Sequence, residues 1–218
     1  MPDHCFCEGV RAGAIRQPSN TVSSVAFVLV AAMVLRDARN ASAWRFAGAT
    51  LLVGLGSAWF HATLSFWGQT ADVLGMYVVA TFLLLESLAR RSMWTASQQN
   101  ALFIGGNTVL LAMLVVMPEV RRYVFALLVM AIIASEWRRL SRARTADDAN
   151  HVARARRAFT SSVALLGFGF VVWILDITRV VCAPTSLWQL HALWHLCGAA
   201  SAWCAYRAVM GREPPRRA

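Results

Sequence analysis

The sequence predicts an all-α, polytopic membrane protein, a seven-transmembrane helix bundle with its N-terminus outside and its C-terminus cytoplasmic. Three observations predict it. Apolar residues make up 58% of the chain and charged residues 15%, against about 45–50% and 25% in soluble domains. The apolar residues fall in seven blocks, roughly 22–36, 44–64, 71–89, 101–117, 122–137, 159–176 and 187–208. The basic residues, all 21 of them arginines, fall unevenly between the loops. In hydrocarbon every backbone polar group must be satisfied within the protein, so blocks of this length imply helices.

Each element follows in order. The first 19 residues, MPDHCFCEGVRAGAIRQPS, are polar and carry no apolar core, so no cleavable signal peptide is expected there. A helix needs about 20 residues to cross the hydrocarbon layer, so spans 1, 4 and 5 must recruit flanking residues. Span 2 carries Ser57, His61 and Thr63 toward one end. The short loop SFWGQT returns the chain into span 3, which opens on Asp72 and carries Glu86 one turn before Arg90. Glu86 and Arg90 have the spacing of an intrahelical ion pair. Span 6 ends in VVWILDITRVVC with Asp176, and span 7 opens as LWQLHALWHLCG with His191 and His195. The whole chain, 1–218, reads as one domain. It has an N-terminal segment (1–19), an arginine-rich loop (138–158) and a tail (211–218).

The charge sets the orientation. With seven spans, one side holds five arginines and the other sixteen, seven of them between Arg138 and Arg157. The richer side is cytoplasmic by the positive-inside rule. The net charge of +10 therefore reads as an orientation signal beside anionic lipid heads, not as a nucleic-acid surface.

Topology then gives each polar residue a depth. Ser57, His61, Asp72, Asp176, His191 and His195 all lie toward the outer face, although they come from four spans. Ionisable groups in hydrocarbon are costly and mark function or pairing. Residues four apart share one helix face, as Ser57 and His61 do, and His191 and His195. A His-x-x-x-His pair with His61 as third nitrogen suits Zn²⁺, with a fourth position left for water. Asp72 is placed to act as general base and Ser57 to donate to an oxyanion. A structural zinc normally takes four protein ligands, so three histidines favour catalysis over a non-catalytic zinc-containing receptor or sensor.

These residues resemble the alkaline ceramidases, seven-helix zinc-dependent membrane hydrolases related to adiponectin-receptor-like proteins. The matching pieces are S-x-x-x-H in span 2 and an aspartate eleven residues on. They continue with W-x-x-D-x(5)-C (Trp173, Asp176, Cys182), H-x-x-W-H in span 7, and an N-terminal D-H-C-F-C-E followed by NTVSSVAF. The resemblance implies a zinc-dependent amidase that cleaves ceramide, with His61, His191 and His195 as metal ligands, Ser57 and Asp72 as catalytic residues, and Trp194 in the pocket. It implies a membrane lipid substrate, ceramide or another N-acyl or ester lipid, and does not fix the oligomeric state. Eukaryotic members hold calcium on acidic residues of the N-terminal segment. Asp3 and Glu8 represent part of that set, but Phe6 and Gln17 stand where acids are expected. Calcium takes six to eight oxygens, so Ca²⁺ is disfavoured here. The resemblance also implies a disulfide from Cys182 to Cys5 or Cys7, with free thiols as the alternative.

Other residues read as structural. Trp59, Phe60 and Met76 are candidates for an acyl pocket or for core packing. Asp176 either supports a zinc-ligand histidine or ties span 6 to the N-terminal segment. Gly54, Gly56, Gly105, Gly106, Gly167 and Gly169 are candidates for close helix approach. Trp44, Trp67, Trp137, Trp173 and Trp188 sit near span ends, as an aromatic belt would. The arginine-only basic set suggests a GC-rich bacterial genome, and hence an inner-membrane protein with its site toward the periplasm.

Overall fold

A computed structural model describes residues 6–38, 40–90, 92–142 and 149–210. Asp3, Cys5, the middle of the arginine-rich loop and the tail lie outside the described residues. The fold is all-helical: α1 (Pro18–Ser23), α2 (Val25–Asp37), α3 (Ala41–Thr63), α4 (Phe66–Ala89), α5 (Ala96–Val116), α6 (Arg121–Arg142), α7 (Ala149–Ile177) and α8 (Leu190–Met210). No strand occurs among the described residues.

Helix starts follow local chemistry. Asn40 accepts the Ala43 N–H at 2.7 Å, and Ser65 accepts the Gly68 N–H at 3.1 Å. Thr95 and Gln98 form a reciprocal capping box. α1 opens on Pro18, whose fixed φ suits the first helical position. Its free N–H groups at Ser19 and Asn20 donate to the Glu8 carboxylate at 2.8 and 2.9 Å. The short spans do recruit their flanks: α1 and α2 together cover Pro18–Asp37, and α5 and α6 reach 21 and 22 residues.

Among the described residues, four stretches, Pro18–Asp37, Phe66–Ala89, Ala96–Val116 and Asn150–Ile177, are long and apolar enough to cross a bilayer. α3 and α8 are comparably long but carry the buried polar residues of the site, and α6 carries arginines at both ends.

The burial pattern is that of a membrane protein. Leu29, Leu55, Ile104, Leu127 and Val171 are exposed, while Gln17, Ser57, His61, Glu136 and Asp176 are buried. Such a broad apolar exterior needs a lipid partner. Trp44, Trp67, Trp137 and Trp188 are also exposed near helix ends.

The two-residue turn Leu64–Ser65 makes α3 and α4 antiparallel neighbours, with Leu64 in left-handed backbone (φ 50°). Two glycines let them touch. A Cβ on Gly56 would lie 2.7 Å from the Ala71 carbonyl carbon, and one on Gly75 would lie 2.8 Å from Val53 Cα. Gly54 and Gly169 are also close to neighbours, but a Cβ on Gly105, Gly106 or Gly167 would meet nothing within 4 Å. Those three do not serve helix packing. The main core, with Phe27, Val34, Phe46, Val53 and Phe82, lies among α2, α3, α4 and α8.

Candidate metal centre

His61 leaves the last turn of α3, and His191 and His195 occupy successive turns at the start of α8. The three rings converge, with centroids 4.6–5.1 Å apart. One nitrogen from each lies within 4.8 Å of the others, and all three residues are buried.

Neighbouring side chains settle which nitrogens are free. Gln17 uses its amide N–H on the Glu8 carbonyl (3.0 Å), so its Oε1 faces His61 and accepts the Nδ1–H at 2.8 Å. Ser23 spends its proton on the Asn20 carbonyl (2.9 Å), so its oxygen accepts from His195 Nδ1 at 2.8 Å. Both imidazoles therefore present Nε2 as an acceptor, the arrangement that outer partners impose on metal-ligating histidines. His61 Nε2 is buried without a partner among the described residues, and so is His191 Nδ1. Unmet buried nitrogens within a cluster of three histidines fit a cation. This group can hold a metal ion.

Asp72 and Ser57 stand beside the triad. The close contact at Gly56 presses the backbone of Asp72 onto α3, one residue from Ser57. Both line the same cavity, and Ser57 is buried. Its Oγ lies 3.1 Å from Ser24 Oγ and 3.3 Å from His195 Nε2. Ser57, Asp72, His191 and His195 line one end of a cavity of about 380 Å³ walled by α3, α4, α6, α7 and α8. Phe60, Met76 and Trp194 line it too.

Trp59 does not. Two residues from Ser57 on a helix, it points to nearly the opposite side, and it is 49% exposed. Trp194 packs against Gly169, where a Cβ would lie 2.9 Å from its ring, and its ring centroid is 5.0 Å from that of Phe170.

The N-terminal segment covers the site. Phe6 lines the cavity, and its ring lies 4.0 Å from the His191 ring and 5.3 Å from the His61 ring. A disulfide joins Cys7 to Cys182, across 175 residues. Asp176 accepts the Cys7 N–H through one carboxylate oxygen and the His191 N–H through the other, each at 3.2 Å. It thus ties the N-terminal segment to the end of α7 and anchors the histidine backbone, not its ring. The N–H groups of Arg16 and Gln17 donate to the carbonyls of Ala62 and His61, each at 3.0 Å. Glu8 is buried and committed to α1. Gln17, Ser23, Ser24 and Phe6 all belong to the site. The sequence singled out Gln17 and Phe6 only as departures from an acidic pattern.

The model of the family described as Ceramidase matches residues 6–211. The chain belongs to the ceramidase family. This ceramidase-family protein is 29% identical over 167 residues to alkaline ceramidase 1 of Mus musculus, covering 67% of this chain and 53% of the mouse protein. It is 30% identical over 167 residues to alkaline ceramidase 1 of Homo sapiens, covering 67% and 55%. The chain spans about half the length of the curated relatives it matches.

Proposed function

We propose that this protein is a zinc-dependent amidase embedded in the bilayer, which hydrolyses the N-acyl amide of ceramide or a related lipid. The observation that carries the proposal is the convergence of three buried imidazoles with Asp72 and Ser57 at one end of an apolar cavity. Three neutral imidazoles from His61, His191 and His195 suit zinc and leave a coordination position open. Zinc bound there supplies Lewis acidity and lowers the pKa of a site water from about 15.7 to about 7.

The chain's own residues do the rest. Asp72 takes a proton from the attacking water as the water oxygen bonds to the carbonyl carbon. It then delivers a proton to the amide nitrogen as the C–N bond breaks, so a free amine and a fatty acid leave. Ser57 donates its hydroxyl to the carbonyl oxygen as negative charge builds there. Gln17 and Ser23 hold two of the histidines in the tautomer that binds metal. The apolar walls seat the acyl chain, and Phe6 with the strapped N-terminal segment limits water from outside.

In this reading one domain crosses the membrane seven times, with the N-terminus outside and the C-terminus cytoplasmic. The arginine asymmetry supports that orientation. In the same reading the site faces the periplasmic side of a bacterial inner membrane. The test is amide hydrolysis by purified protein on an N-acyl sphingoid lipid. Asp72→Asn is expected to lower the rate by about 10²–10⁴-fold and Ser57→Ala by about 10²–10³-fold, both with metal retained. Wild-type rates in both variants would remove the proposal.

A further inference from the structure

The cavity has a second end that the chemistry does not use. On α8 its lining runs from His191 to Val209, roughly 27 Å at 1.5 Å per residue. At the far end it is lined by Leu83 of α4, Glu136 of α6, Phe159 of α7 and Ala208 and Val209 of α8. The walls between are almost entirely apolar, so a carboxylate there is out of place.

Glu136 is 1% exposed. Its Oε2 accepts from Arg139 Nε at 2.9 Å, while Oε1 is buried and has no partner among the described residues. Arg139 also donates to the Ala208 carbonyl at 3.1 Å, and Arg90 donates to the Val209 carbonyl. The far end is thereby stapled across α4, α6 and α8. Because this carboxylate is already shut off from solvent and held by Arg139, an alkyl chain reaching past it would have to displace a buried, paired charge, which is unfavourable.

We propose that Glu136 is the specificity-determining floor of the acyl channel: chains that stop short of it bind well, and longer chains are rejected. The inference rests on the amidase reading only in taking an alkyl chain as the occupant. No mechanism step involves Glu136.

Two readouts on the purified full-length chain in micelles separate the two claims. The first is displacement of a fluorescent fatty acid by saturated fatty acids from lauric to lignoceric. The second is hydrolysis of N-acyl sphingoid lipids carrying the same chains. Wild-type affinity should rise with length, pass through a maximum, and fall by about tenfold or more for the longest chains. Glu136→Ala should move the maximum to longer chains, while the isosteric Glu136→Gln, which keeps an acceptor for Arg139, should hold it in place. Wild-type affinity that rises steadily to the longest chain, or a Glu136→Ala profile superimposable on wild type, overturns the floor. A length maximum without hydrolysis leaves the floor standing and removes the amidase.

Discussion

His61 directs its Nδ1–H to Gln17, and that single contact leaves Nε2 buried without a partner among the described residues, beside His191 and His195. Outer partners of metal ligands are worth about 10–100-fold in affinity. Gln17→Leu is therefore expected to weaken zinc binding by that factor in a chelator competition, while Gln17→Glu, which keeps an acceptor, retains it. Equal affinity in Gln17→Leu would show that the contact is incidental. The cluster of three histidines was legible: His191 and His195 share a face by their spacing, and the expected topology puts His61 and Asp72 at the same level. Gln17, Ser23 and Ser24 were not, because no periodicity links an irregular N-terminal segment to helices that close over it. Asp176 was legible as a tie between elements. Its second oxygen on the His191 backbone was not.

At the scale of elements, the site depends on how closely α3 and α4 approach. A side chain at Gly56 would collide with the backbone at Ala71 and Asp72, and overpacking of this kind costs about 1–3 kcal/mol. Gly56→Val should lower the melting temperature and the hydrolytic rate together, because it moves Asp72 away from Ser57. Gly105→Ala, where the new Cβ meets open space, should leave the rate unchanged. If both variants behave alike, the glycine contact does not position the site. The long helices among the described residues could be read from apolar blocks, but which glycines pack could not, since a lipid-facing glycine and a buried one look alike in sequence. The arginines had a further use invisible from charge counting. Arg139 and Arg90 reach the last carbonyls of α8, and Arg156 reaches the Leu140 carbonyl of α6 at 3.2 Å, satisfying orphan acceptors at helix ends. Glu86 likewise reaches between elements, to Ser42 at 2.9 Å and Gln99 at 3.4 Å.

At the scale of the molecule, the N-terminal segment works as a strap held by a disulfide, a buried carboxylate and two α3 carbonyls. Closing a loop of this length constrains the unfolded chain, and losing such a bond costs about 2–5 kcal/mol. Cys182→Ser should melt earlier than wild type and lose metal faster to a chelator, since Phe6 would no longer be pinned over His191. An unchanged melting temperature and metal off-rate would show that the strap is idle. The broadest claim is that separate helices gather their imidazoles around one cation. Metal analysis of purified protein tests it most directly. About one zinc per chain is expected in wild type, with loss of that zinc in His61→Ala; metal-free wild type that still hydrolyses its lipid would contradict a shared cation.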